Sequence, residues 1–365
     1  MQIHLDCMNK ISALLFFVLF SMPALSNANS ILEKNPGNLV IITLDGVRWQ
    51  EFFQGADPKL GFSSKNTAAF PLFWKKYAAQ GVVFGNKLKG SLMQVAGLPT
   101  SLPSYQVMFT GQSSCFNNFV CMPGDSDYMR ITEPSLFENI QKALHLYSKD
   151  VAVIASWDKI PLAVEQKVGG FFINAGAVPW DDQSCDPAID EDNPENSRPE
   201  NQPSWGSRYD RYTMKYALHY LQKYRPRLFY VSLNDTDEWG HLDNYSNYIE
   251  AMREQDRFID QLFVTLKKMG KYGEQTTVLI TTDHGRGNGS TQDSQWSNWT
   301  MHKPWLPESR DVWMYIRGPQ IKPLGSISNH PSFTHSLIKP FVERAFGLPT
   351  EISETDRLIL RLITD

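Results

Sequence analysis

The chain of 365 residues is 42% hydrophobic and 12% aromatic, with 35 Lys and Arg against 39 Asp and Glu and a formal net charge of −4. So much apolar and aromatic side chain excludes an intrinsically disordered chain, and the balanced charge provides no generic surface for nucleic acid. Four cysteines are too few for a disulfide-built scaffold, so packing must hold the fold, and the eight histidines become the residues to follow.

The first segment predicts export. Lys10 precedes the apolar run Leu14 to Phe20, and Ser21 to Ala28 follow with small residues at Ser26 and Ala28. Residues 1–28 therefore read as a signal peptide cleaved after Ala28, with a retained anchor as the alternative. Met8 offers a second start, and Cys7 lies upstream of the apolar run rather than at a lipoprotein cleavage position. No later segment is long and apolar enough to span a bilayer, so the mature chain is expected in the periplasm or secreted. In an oxidising compartment Cys115 and Cys121 are expected to close the loop CFNNFVC as a disulfide, which leaves Cys185 unpaired. The spacing lacks the paired CxxC elements of a cysteine zinc site.

Beyond that segment, strands are predicted at Leu39 to Thr43, Val151 to Ser156, Leu228 to Leu233, Thr277 to Thr282 and Val312 to Ile316. Helical patterns cover Leu72 to Gln80, Leu136 to His145, Arg208 to Tyr224, Tyr245 to Met269 and Thr334 to Phe346. The longest keeps Ile249, Met252, Ile259, Leu262, Phe263, Leu266 and Met269 on one face, with Gly270 where a left-handed cap belongs. Alternating strands and helices imply an α/β fold, a mostly parallel sheet covered on both faces. The acidic, Pro- and Asn-rich stretch 179–205 reads as a surface insertion within a single domain spanning 29–365.

Three predicted strands run directly into aspartates. VIITLDG reaches Asp45, FYVSLNDTDEWGH reaches Asp235 and Asp237, and VLITTDHG reaches Asp283 beside His284. In an open α/β sheet these ends share one edge, where clustered carboxylates repel each other unless cations lie among them. His241, four residues after Asp237, and His284 complete a mixed O and N set suited to zinc or another first-row divalent ion.

The motifs TLDGVRW, SLPSYQVMFTG, DTDEWGH and TTDHGRG, in that order, resemble the alkaline phosphatase superfamily, closest to its nucleotide pyrophosphatase/phosphodiesterase and type I phosphodiesterase branches. The resemblance runs from Asp45 to about Pro319 and implies a three-layer α/β/α sandwich. It also implies two divalent metal ions, usually Zn2+ with Mn2+ or Fe as alternatives. A Ser or Thr nucleophile attacks phosphorus and is then released by water. Carried over residue by residue, Asp45, Ser101, Asp283 and His284 would hold one ion, and Asp237, His241 and His302 the other, with Asp235 behind the ligands. The expected substrate is a small-molecule phosphoester, whether mono- or diester.

Ser101 opens the segment SLPSYQ, where Pro103 fits a first helical turn, so Ser101 reads both as a helix start and as the nucleophile. Thr100 is the rival, but the family places its hydroxyl directly before an apolar residue and Pro. Ser104-Tyr105 stand where Asn-His is common, which bears on substrate preference. A sulfatase would need a Cys/Ser-x-Pro-x-Arg signature, and Ser101 to Tyr105 lack the Arg. Cofactor-independent phosphoglycerate mutase carries a large second domain that the interval from Ser101 to Asp237 does not hold. A phosphoryl or phosphoethanolamine transferase, or a non-catalytic metal-binding relative, are the remaining alternatives.

Arg48 and Arg286 lie three residues from proposed ligands and could hold substrate phosphate or form structural ion pairs. Asn118, with Asn117, could bind a phosphoryl oxygen or sit in a turn. His145, His219, His330 and His335 read as structural, and the tryptophans between Trp296 and Trp313 as core or as a shelf for an organic leaving group.

Overall fold

The run NLVIITL, Asn38–Leu44, is buried at every residue, as a strand covered on both faces requires. In the computed structural model, described over residues 37–62, 66–112, 130–178, 206–294 and 297–364, it forms the centre of an eight-stranded sheet. Across the sheet run β10 (Gly325–Ser326), β2 (Val82–Phe84), β9 (Met314–Arg317), β7 (Thr276–Thr281), β1 (Asn38–Leu44), β6 (Leu228–Leu233), β4 (Val151–Ala155) and β5 (Phe172–Ala175). β9 runs antiparallel to both its neighbours, and the remaining pairings are parallel. A second sheet joins β11 (Phe333–Thr334), β3 (Met93–Gln94) and β8 (Asp311–Val312).

Because successive strand residues face opposite ways, the same strands feed two cores. Leu39, Ile41, Val153, Tyr230 and Leu279 pack with helices α3 (Ser101–Thr110), α4 (Leu136–Leu144), α5 (Pro161–Val164), α10 (Ile338–Ala345) and α11 (Glu354–Ile363). Val40, Ile42, Ile154, Val231 and Ile280 pack with α1 (Trp49–Gln54), α2 (Pro71–Lys76), α6 (Asp210–Tyr224) and α8 (Tyr245–Lys268). The result is a three-layer α/β/α sandwich. Two short helices, α7 (Asp235–His241) and α9 (Lys271–Glu274), complete the described set.

Several element boundaries differ from expectation. The predicted strand Val312 to Ile316 is broken at Trp313, which stacks on Phe52 with ring centroids 3.6 Å apart and donates to the Val47 carbonyl at 3.1 Å. Its two halves enter different sheets as β8 and β9. Leu72 to Gln80 ends as an α-helix at Lys76 and finishes as one 3₁₀ turn. The predicted helix from Thr334 begins with Thr334 in β11 and a 3₁₀ turn before α10. Gly270 has φ 59° and ψ −128°, so it opens α9 rather than forming a left-handed cap. The signal segment 1–28, Cys115, Asn117, Asn118, Cys121, Cys185, the insertion 179–205 and Trp296 lie outside the described residues.

Candidate metal and catalytic centre

The centre forms where β1, β6 and β7 end side by side. Thr43 of β1 is in register with Ser232 of β6 and Thr281 of β7, so the residues that follow emerge together at one carboxyl edge. Asp45 follows β1 directly. Asp283 and His284 follow β7, and the chain after β6 turns at once into α7, which puts Asp237 and His241 one turn apart on one helical face. The fourth contributor is the first residue of α3. Thr100 is its N-cap and Ser101 its first helical residue.

Ser101 Oγ lies 3.1 Å from His284 Nε2 and donates to Asp45 Oδ1 at 3.4 Å. Asp45 Oδ2 accepts from Tyr105 Oη at 3.0 Å, and the Asp45 carbonyl accepts from Thr236 Oγ1 at 2.5 Å. Asp283 Oδ1 accepts from the Gly46 amide at 3.0 Å, while its buried Oδ2 has no hydrogen-bond partner among the described residues and lies 3.4 Å from His284 Nε2. His284 Nε2 is also 3.4 Å from Asp45 and 3.8 Å from Asp237. The His284 Nδ1 faces the Gly285 carbonyl at 2.9 Å, a contact an N–H makes, which leaves the Nε2 lone pair directed at the carboxylates.

Next to this group, His241 Nε2 lies 3.1 Å from Asp237 Oδ2, and His302 Nε2 lies 2.9 Å from His241 Nε2 and 3.7 Å from Asp237 Oδ1. His302 Nδ1 faces the Pro99 carbonyl at 3.4 Å, so its Nε2 also turns inward. The His284 and His302 rings stack at 3.8 Å, which sets the two groups side by side. Among the described residues two clusters thus have the ligand spacing of a cation site: Asp237, His241 and His302, and Asp45, Asp237 and His284. Asp237 is common to both.

The electrostatics are those of crowded buried charge. Burial, then the Asp237 charge, raises the Asp45 carboxyl; burial, then Asp45, raises Asp283 well above the usual carboxylate range. Burial also opposes ionisation of Asp237, yet the Arg286 guanidinium with His241 and His302 holds it well below that range. Burial opposes a charge on His284 too, but Asp283 and Asp45 raise it to about 9. Without a cation, burial and mutual repulsion oppose the ionised forms of Asp45 and Asp283, while Asp237 stays ionised against Arg286. The unpartnered Asp283 Oδ2 and the converging imidazole lone pairs fit divalent ions instead.

The remaining candidates separate. Arg48 is wholly buried and lies against Glu51, Nε to Oε2 3.1 Å, with Asp57 at 3.7 Å, so it is an internal ion pair. Arg286 grips Asp237 through its carboxylate and carbonyl and donates to the Thr300 carbonyl at 2.8 Å. Asp235 turns away toward Asp210, accepting from its amide at 3.2 Å. His335 is buried behind the Ala96 amide, His330 contacts Ser91, and Trp299 and Trp313 are core residues.

Sequence reasoning missed three supports. Tyr105 lies one turn after Ser101 on α3, a spacing that could have placed it on the same face. Thr282 Oγ1 accepts from the Val47 amide at 3.2 Å and ties the two metal-side turns together. Asp210 collects the Asn234 amide at 2.7 Å, Ser156 Oγ at 2.6 Å and Gln255 Nε2 at 3.1 Å, which fixes the start of α7.

No curated protein matches the chain in sequence. Solved structures share its fold. BT1596, a 2-O GAG sulfatase, superposes with a TM-score of 0.56 at 17% identity, covering 88% of this chain and 74% of that one. Murine ectonucleotide pyrophosphatase/phosphodiesterase 5, as an inactive variant in complex with AMP, gives 0.55 at 10% identity, covering 90% of this chain and 100% of that one. The lipoteichoic acid synthase LtaP from Listeria monocytogenes gives 0.56 at 13% identity, with 92% and 78% covered. The sandwich is therefore of the alkaline-phosphatase type. The type I phosphodiesterase/nucleotide pyrophosphatase family matches residues 117–338, which include Asp237, His241, Asp283, His284 and His302 and begin beyond Asp45 and Ser101. The family is metal-dependent. The match spans more than half of the sequence, and the chain belongs to the type I phosphodiesterase/nucleotide pyrophosphatase family of alkaline phosphatase superfamily hydrolases.

Proposed function

We propose that the protein is an exported hydrolase of phosphoesters, mono- or diester, that works through a covalent phosphoseryl intermediate on Ser101. The carrying observation is the place of Ser101 Oγ, at the first turn of a buried helix and between His284 Nε2 at 3.1 Å and Asp45 Oδ1 at 3.4 Å. Asp45, Ser101, Asp283 and His284 would hold one divalent ion, and Asp237, His241 and His302 a second. Bound there, zinc, or manganese or iron in its place, supplies Lewis-acid stabilisation of the phosphoryl oxygens and acidifies a hydroxyl or water.

The chain's own groups account for the rest. Asp45 and His284 orient the Ser101 hydroxyl, and the amides at the start of α3 favour the anionic oxygens that gather around it. The Ser101 oxygen bonds to phosphorus as the ester oxygen leaves with the electron pair; water then cleaves the serine ester and restores the hydroxyl. Tyr105 anchors Asp45, so that this carboxylate keeps its other oxygen toward Ser101. Tyr105 also occupies the position of the arginine in the sulfatase signature, which favours phosphorus over sulfur.

Replacing Ser101 with Ala tests the reading. With zinc or manganese present, release of nitrophenol from nitrophenyl mono- or diesters should fall by about a thousandfold or more, with folding and bound metal retained. Substantial residual turnover would remove Ser101 from the nucleophile's role. An inactive parent with metal bound would favour a binding protein on the same scaffold.

A further inference from the structure

Arg286 stands three residues after Asp283, a place from which an arginine could reach a substrate phosphate, but its side chain goes elsewhere. It is fully buried, and its guanidinium bonds the Asp237 carboxylate through Oδ1, the Asp237 carbonyl at 2.9 Å and the Thr300 carbonyl at 2.8 Å. These contacts join three segments of the centre. Asp237 and His241 lie on α7, Thr300 lies two residues before His302, and Arg286 itself follows Asp283 and His284.

Two glycines make room for the guanidinium. A Cβ at Gly240 would lie 2.5 Å from Arg286 Cζ, and one at Gly46 would lie 3.1 Å from Arg286 Nε and 2.8 Å from Asp237 Oδ1. With Oδ1 held by Arg286, the other oxygen of Asp237 is the one 3.1 Å from His241 Nε2. A carboxylate pinned in this way presents a single oxygen in one direction, and the loop carrying His302 is tied to the same fork.

We infer that Arg286 is a positioning residue of the second cation pocket: by holding Asp237 Oδ1, which His302 Nε2 approaches at 3.7 Å, it turns Oδ2 to His241 and fixes the His302 loop against α7. The inference rests on the two-cation reading above and adds that the two pockets depend unequally on Arg286. Among the described residues the guanidinium makes its hydrogen bonds to Asp237 and Thr300 and none to Asp45, Asp283 or His284, so their pocket should survive the loss of Arg286.

The test is zinc stoichiometry and affinity in the full chain, by elemental analysis after desalting and by competition with a chromogenic chelator. The parent should bind two equivalents. Arg286→Met should bind the second equivalent about 10–100-fold more weakly while retaining the first. Arg286→Lys, a point charge without the fork, should lie between them. Gly240→Ala provides a variant that keeps every ligand and every charge. Alanine favours the helix over glycine, yet its Cβ must displace the guanidinium, so it should weaken the second equivalent as Arg286→Met does. Two equivalents at parental affinity in Arg286→Met, or in Gly240→Ala if Arg286→Met fails to fold, would overturn the inference and leave the two-cation reading intact. A parent that binds fewer than two would overturn both.

Discussion

At the scale of single residues, His335 shows how burial alone sets a charge state. It is wholly buried, its Nδ1 receives the Ala96 amide at 3.4 Å and its Nε2 has no hydrogen-bond partner among the described residues, and burial lowers it to about 3. In the unfolded chain it titrates near 6.5. Between those values the unfolded chain takes up a proton that the native protein refuses, so the contribution to stability is complete above about pH 6.5 and is lost as pH falls toward 3, by about 1.4 kcal/mol per unit. Urea unfolding at pH 7 and pH 5 should show the parent losing about 2 kcal/mol more than His335→Phe over that interval; equal losses would show that His335 charges freely in the native state. Motif membership set this histidine apart from His241, His284 and His302, since His335 lies in none of the four motifs and is not the late histidine before the Gly318-Pro319 strand. The two arginines were less readable. Arg48 finds Glu51 one helical turn away, whereas Arg286 finds Asp237 across 49 residues; proximity in sequence to Asp45 and Asp283 left phosphate binding and an ion pair both open without naming the partner.

At the scale of elements, α4 shows local chemistry fixing a boundary. Ser135 accepts from the Glu138 amide at 3.3 Å while Glu138 accepts from the Ser135 amide at 2.9 Å, a reciprocal cap, and Ser135 Oγ also donates to the Val164 carbonyl of α5. Ser135→Ala removes the cap and leaves a buried carbonyl without its donor, so it should cost about 1–2 kcal/mol, read as a lower denaturation midpoint with unchanged slope. A cost under about 0.3 kcal/mol would show that water replaces the hydroxyl. Such caps are written in the sequence, as are buried strands like β1 and β6, whose runs leave no polar face. Tertiary contacts are not. The strand after Asp311 is cut in two by the demand of Trp313 for Phe52 and the Val47 carbonyl, partners that lie far away in the chain. The helical character of DTDEWGH was hidden by the strand feeding it, although the Asp237 and His241 spacing carried it.

At the scale of the whole molecule, motif order pointed to the candidate site because three adjacent parallel strands deliver their aspartates to one edge, and a sheet order with β1 between β6 and β7 makes that delivery unavoidable. The long-range cost is also global. Asp45, Asp237 and Asp283 are held together by the whole sheet, so removal of cations should lower the stability of the entire fold rather than loosen one loop. A chelator such as EDTA should therefore lower the melting temperature of the metal-loaded parent by several degrees, at about 2 °C per kcal/mol for a chain of this size. Asp283→Asn separates repulsion from ligation. Its amide oxygen can keep the Gly46 N–H, and its amide nitrogen can donate to His284 Nε2, which lies 3.4 Å from the present Oδ2. The variant loses one of three crowded negative charges, so without metal it should melt above the chelated parent, and it should respond less to EDTA than the parent because one of the two cation pockets has lost a ligand. If the parent and Asp283→Asn shift equally on chelation, Asp283 does not ligate.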